Sequence, residues 1–347
     1  MKTGFARTAA AEWVMKYASG ETGFKGAYFS GSTILLPDDA PLPPFSDIDV
    51  VIVTEQDPLP AKLGKFVYRN TLMEVTYFPW SQYRSAEEIL SSYHLANSFR
   101  TDTVIADPTG HLRDLQTRVA RHFAEPAWVR RRCENALEKI GNGIGAIDPS
   151  TPLHDRVTAW LFPTGVTAHV ILVAALRNPT VRLRYLAARE ALLEYGHAGF
   201  YEDLLALLGC ARLSPQRVAQ HLDALAQTFD AAVAVAKTPF VFSTDITAAA
   251  RPIAIDGSRE LIRSGFHRET VFWIVATFAR CHKILAADAP PDLQRALAPA
   301  FEAVIADLGI APDGALIRRA GEVTRFLPRL RKTAEAILEA NPGLTNR

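Results

Sequence analysis

The chain has 347 residues, 48% hydrophobic and 22% charged, enough apolar mass for two cores at about 100–200 residues per domain. Lys+Arg 38 against Asp+Glu 37 leaves a formal net charge of +1, without the bulk basic excess that phosphate neutralisation asks of a nucleic-acid-wrapping protein. Cys133, Cys210 and Cys281 are odd in number and widely spaced, which argues against a disulfide scaffold and a cysteine-built zinc site.

The N-terminal stretch is interrupted by Lys2, Arg7 and Glu12, so it lacks the apolar run of a secretory signal. Val166–Leu176 is broken by His169 and falls short of the roughly 20 residues that span a membrane. These features predict a soluble cytoplasmic protein with no membrane partner.

In chain order, a helical patch over Thr8–Ser19 precedes short runs rich in β-branched and aromatic residues, the mark of strands. These are Gly26–Ser30, Ile48–Thr54, Phe66–Arg69, Leu72–Phe78 and Thr103–Ala106, with helices predicted at Ala86–Ala96 and Leu112–Phe123. Pro37–Pro44 is a loop, because its four prolines cannot donate to a ladder. Near residue 125 the composition turns Ala-, Leu- and Arg-rich with helical spacing. Helices are predicted at about 127–141, 154–177, 182–195, 200–208, 214–237, 258–264, 269–286, 292–308 and 313–340. Ser214-Pro215 places a capping hydroxyl before a first-turn proline, and Pro239–Ile255 reads as a loop or short hairpin. The expected fold class is α+β, with a small mixed sheet and its helices in residues 1–124 and an all-α domain in 125–347.

The chemistry concentrates between Ala27 and Phe78. Asp47 and Asp49 lie at i and i+2 at the start of a strand, so both carboxylates project to one face while Ile48 turns to the other. Paired carboxylates repel unless a cation lies between them, and Mg²⁺ takes one or two carboxylates together with substrate phosphates. Glu74, between Met73 and Val75 on the next strand, faces opposite to those neighbours. Three carboxylates on two adjacent strands fit a two-metal phosphoryl-transfer site. Gly31 permits close backbone approach to a phosphate, and Ser32 offers a hydroxyl and an amide beside it.

Gly31-Ser32, the run Ser46-Asp47-Ile48-Asp49-Val50-Val51-Ile52-Val53 and Glu74-Val75-Thr76 together resemble the signature of the DNA polymerase β-like nucleotidyltransferase superfamily. Within it the chain is most similar to the minimal, antibiotic-type branch typified by the streptomycin/spectinomycin adenylyltransferases, which pair a small catalytic domain with a helical one. The resemblance implies that Asp47 and Asp49 bind Mg²⁺, with two ions in the site, and that Glu74 is general base or third ligand. It also implies that Gly31 and Ser32 hold the triphosphate of ATP. In the helical part, the segment 176–196 resembles the stretch where a basic residue meets the triphosphate, which selects Arg184 first and Arg182 behind it, since a guanidinium donates in bidentate fashion. The chain departs from the family pattern in reading Thr33-Ile34-Leu35-Leu36 after Gly-Ser and in the Pro37–Pro44 insertion.

The implied activity is Mg²⁺-dependent transfer of a nucleoside monophosphate, AMP from ATP, to a hydroxyl of a small, aminoglycoside-like acceptor, with release of pyrophosphate. A protein or RNA acceptor, or a catalytically silent nucleotide-binding module, is the alternative; the near-neutral charge disfavours nucleic acid. Asp107 in TVIADPTGHL reads as a turn former, and Arg100 is a weaker nucleotide candidate. Trp128, Trp160 and Trp273 read as helix packing. Glu190, Glu194, Glu202 and Asp203 are candidates to face a cationic acceptor, or a solvated helix face. The nine histidines contain no H-E-x-x-H pair, which disfavours a zinc hydrolase.

Overall fold

The computed structural model describes residues 1–311 and 314–345. It divides into two units: Met1–Arg132 joined by Phe240–Ala250 and Thr345, and a second made of Cys133–Pro239 with Arg251–Leu344.

The first unit is built on five strands, β1 Phe24–Ser30, β2 Ile48–Thr54, β3 Gly64–Tyr68, β4 Thr71–Pro79 and β5 Val104–Ala106, in the order β3-β4-β2-β1-β5. β2 and β4 run parallel, and every other neighbouring pair is antiparallel, so the sheet is mixed. Strand alternation divides the side chains by face. Ala27, Ile48, Val50, Ile52, Met73, Val75 and Tyr77 form one apolar cluster with Ala6, Ala10, Trp13 and Val14 of helix α1, Thr3–Trp13, which continues as a π-helical turn to Ala18. On the other face Tyr28 packs against Tyr83 and Phe99, its hydroxyl 2.7 Å from that of Tyr83.

α1 starts earlier than the periodicity suggests because the proline-rich loop caps it. Thr3 and Gly4 donate their backbone N–H groups to the carbonyls of Ala40 and Asp38, each at 2.9 Å. Orphan donors at a helix start are thereby satisfied without a capping side chain. The insertion is thus tied to the N-terminal helix, and Arg7 adds bonds to Asp38 and to the Thr33 carbonyl, both 2.7 Å.

Helix α2 is shorter than predicted, Ala86–Ser91, since Ser92 is extended and the chain resumes as a 3₁₀ turn at Ala96–Phe99. α3 follows at His111–His122 and α4 at Pro126–Gly145. The division between units falls inside α4 rather than at residue 124. The reason is Arg132, which is buried on the ring of Phe123 and donates to the carbonyls of Leu90 and Phe123 at 3.2 and 2.6 Å. The first two turns of α4 therefore belong to the sheet unit.

The second unit is all helical apart from its turns: α5 Leu153–Ala174, α6 Arg184–Glu194, α7 Ala198–Leu208, α8 Pro215–Val235, α9 Gly257–Arg263, α10 His267–Asp288, α11 Pro291–Asp307 and α12 Ala315–Ala340. Ser214 caps α8 as expected, accepting from the N–H of Arg217. The predicted last helix begins at 313, a position outside the described residues. Among the described residues two helices, α5 and α10, are long and apolar enough to cross a membrane, yet 78% and 72% of their apolar windows are buried inside the protein. A helix apolar all round is here the centre of a helical core, with Trp160 fully buried and α5 packed against α6, α10 and α12. The segment 239–255 is not a hairpin. It holds a 3₁₀ turn at Ser243–Asp245 and a π-helical turn at Pro252–Asp256, and its Phe240–Ala250 part packs with the sheet unit.

Candidate active site

The acidic residues occupy the sheet face opposite α1. Asp47 sits immediately before β2; Asp49 is the second residue of that strand and stands in register with Glu74 across the parallel β2–β4 pair. Carboxylate oxygens of Asp47, Asp49 and Glu74 all lie within 4.8 Å of one another. Gly31, at the turn after β1, has φ +77°, and a Cβ there would stand 1.7 Å from Oδ2 of Asp49. Only glycine leaves that carboxylate its place, a reason for Gly31 beyond approach to a phosphate. Ser32 is exposed on the same turn, while Thr33 and Ile34 turn inward.

Two lysines that the sequence reading did not single out complete the cluster. Lys65 on β3 is paired with Glu74 across the antiparallel hairpin, and its Nζ donates to Oδ2 of Asp47 and Oε2 of Glu74. Lys62, just before β3, bonds Oε1 of Glu74 and, at 2.9 Å, Oδ1 of Asp245 in the Phe240–Ala250 segment. The Lys65 side chain is only 10% exposed and that of Asp245 also 10%. Gly64 seats the segment: at φ +75° its Cα faces Thr244, whose Cβ would lie 2.4 Å from an added methyl.

The electrostatics follow from this packing. Burial pushes the Asp49 carboxyl well above the usual range, and the neighbouring Asp47 and Glu74 charges push it further. Burial acts on Glu74 in the same direction but is outweighed by Lys65 and Lys62, which hold it at about 2. Lys65 is raised despite its burial by Asp47, Glu74 and Asp49, and Lys62 by Asp245 and Glu74. With both ammonium groups in place, Glu74 is a permanently ionised but weakly basic carboxylate. The donor set of three hard oxygen ligands suits Mg²⁺, and it already assembles around cationic charge.

The other candidates lie on other elements. Arg184 is buried in the helical unit, its guanidinium 4.0 Å from the Phe272 ring centre and its Nε donating to the Val181 carbonyl at 2.8 Å. Arg182 is half-buried on the turn before α6. Arg100 lies over the ring of Phe123 at 5.0 Å. Asp107 accepts the backbone N–H of Arg113 at 2.9 Å, as a turn former does. Glu194, Glu202 and Asp203 are in ion pairs with Arg177, Arg268 and Arg329 on the helical unit.

No family model matches the chain, and no curated protein does. Among solved structures, it aligns with a nucleotidyltransferase-like protein from Exiguobacterium sibiricum over 86% of this chain and 91% of that one, at 13% identity and a TM-score of 0.29. A superposition that loose assigns neither a family nor a substrate.

Proposed function

We propose that the sheet unit is a Mg²⁺-dependent nucleotidyltransferase that moves AMP from ATP to a hydroxyl of a small acceptor. The observation that carries this reading is the convergence of Asp47, Asp49 and Glu74, with oxygens within 4.8 Å, on one face of adjacent parallel strands. Those three residues would hold Mg²⁺, which supplies charge compensation for the phosphates and for the oxygens entering and leaving phosphorus. Glu74, a weak base while Lys65 and Lys62 are bonded to it, takes the proton of the acceptor hydroxyl only once those lysines are displaced, as the hydroxyl oxygen bonds to the α-phosphorus. The bond from that phosphorus to the bridging oxygen breaks, and pyrophosphate leaves. Gly31 keeps the Asp49 carboxylate in place, and Ser32, exposed on the turn, offers its hydroxyl and amide to phosphate oxygens. Arg182 and Arg184 are assigned to phosphate on the sequence resemblance alone, as is an aminoglycoside-like acceptor.

The test is pyrophosphate release from ATP and Mg²⁺, with and without a pooled panel of aminoglycosides and spectinomycin. Acceptor-dependent release that disappears in Asp47→Ala, in protein shown to be folded, is the expected result. An active Asp47→Ala protein rejects the mechanism. A second reading, a silent nucleotide-binding module, draws on Lys65 filling the space between Asp47 and Glu74. Binding of Mg·ATP without release against any acceptor selects it.

A further inference from the structure

Lys65 and Lys62 are bonded to two of the three carboxylates that a divalent ion would share. The ammonium of Lys65 is bonded to Asp47 and Glu74, and that of Lys62 to the second oxygen of Glu74. A divalent ion seated among the three carboxylates would stand close to both ammonium groups, and that like-charge repulsion favours displacement of the lysines.

The two lysines differ in what displacement leaves them. Lys62 has a second carboxylate, Asp245, at 2.9 Å, and can release Glu74 while remaining paired. Lys65 has its hydrogen-bonded carboxylates, Asp47 and Glu74, inside the cluster itself, and its side chain is 10% exposed. A buried ammonium stripped of its partners pays a desolvation penalty large enough to oppose the exchange. An anionic ligand arriving with the metal removes that opposition by giving the ammonium new oxygens.

Resting on the nucleotidyltransferase reading, we propose that Lys65 is an exchangeable counter-cation, released by Asp47 and Glu74 to the phosphates of the incoming nucleotide, with Lys62 parked on Asp245. The site then admits a divalent ion together with a polyphosphate and resists the ion alone. Phe240–Ala250 is the strap that makes this work, because it brings Asp245 to Lys62 and is seated on β3 through Thr244 and Gly64. Asp245 is a positioning residue: it touches neither metal nor phosphate and sets where Lys62 rests.

Calorimetry and Mn²⁺ electron paramagnetic resonance on the full chain test the exchange, with Mn²⁺ alone and Mn²⁺ with α,β-methylene-ATP as probes. In the wild type, Mn²⁺ alone binds weakly and the analogue strengthens its binding by tenfold or more. Lys65→Met reverses this pattern. Removing one unit charge at contact distance strengthens Mn²⁺ binding by about tenfold or more, and the gain from the analogue shrinks. Asp245→Asn moves the other way, weakening Mn²⁺ alone because Lys62 keeps Glu74. It lies outside the triad and serves also if Lys65→Met does not fold. Unchanged Mn²⁺ affinity in both variants, with wild-type binding indifferent to the analogue, overturns the exchange and leaves the metal site standing. If Mn²⁺ binds to no variant with or without the analogue, the nucleotidyltransferase reading falls with it.

Discussion

Strands β2 and β4 carry two unlike surfaces on the same backbone. Toward α1 they present Ile48, Val50, Ile52, Met73 and Val75, each at most 1% exposed and sharing one cluster. Toward the other side, at the same end of the same strands, they present Asp49 and Glu74 with Asp47 beside them, held by Lys65 and Lys62. The apolar face gains from every group it buries. The charged face is stabilised only as far as each buried charge finds a partner, and pairs of that kind contribute little net stability while being sensitive to the loss of one member. The first face makes the fold, and the second is placed by it at some expense.

That contrast is broken most sharply by Asp49→Asn. Asp49 is pushed up by burial and by two like charges, and Lys65 keeps its bonds to Asp47 and Glu74 without it. Turnover is expected to fall by about a thousandfold or more, on the scale of losing a preorganised electrostatic group, while the melting temperature holds or rises. A parallel fall in both would return Asp49 to the structural side of the ledger. Ile52→Ala is the complement. Ile52 is fully buried, and truncation costs about 2–5 kcal/mol, read by denaturant unfolding. Mn²⁺ affinity of the molecules that remain folded should match the wild type.

Gly64→Ala tests the join between strand and strap. The added methyl meets Thr244 at 2.4 Å on a backbone with φ +75°, and left-handed strain on a non-glycine residue costs about 1–3 kcal/mol before the clash is counted. Unfolding measurements should show that loss. They should be accompanied by faster proteolysis within Phe240–Ala250, since the Lys62–Asp245 bond depends on the same approach. Protease resistance equal to wild type would mean that the strap is held by something other than its seat on Gly64.

The sequence was informative where chemistry and periodicity coincide. Ile48–Thr54 could be bounded because Asp-Ile-Asp enters an unbroken β-branched run and Thr-Glu-Gln-Asp-Pro ends it; the observed strand has the same limits. Alternation alone put Glu74 on the face of Asp49. Lys65 falls outside the strand that composition predicts at Phe66–Arg69, whereas Arg69 and Asn70 both have positive φ and form a two-residue hairpin turn of the kind that normally favours Asn-Gly. With that turn placed, pairing Tyr68 with Thr71 counts back to Lys65 opposite Glu74. Asp245 carries no local signal of this sort: it lies 183 residues from Lys62, and only tertiary packing brings the strap to the sheet. Arg184 shows the reverse limit, since a basic residue at a helix start looks solvated until Phe272 is found beneath it.

A further pH-dependent effect belongs to a histidine that neither face involves. In the helical unit His282 stacks on Phe301, centroids 4.7 Å apart, and its Nε2 has no hydrogen-bond partner among the described residues. It shares a small cavity with His154, Gln294 and Glu302. Burial, with His154 nearby, pushes its pKa down to about 4, against roughly 6.5 for an unperturbed histidine. Between those values the unfolded chain binds the extra proton, so stability rises with pH across that window. The contribution is complete above about pH 6.5 and is lost progressively as pH falls toward 4, by about 3 kcal/mol in total. His282→Phe should flatten the fall in melting temperature between pH 7 and pH 5, leaving the slope from His154 and His221, whose pKa values burial also lowers. An undiminished slope in His282→Phe would place the acid sensitivity on those other histidines or on the charged face of the sheet, and not on His282.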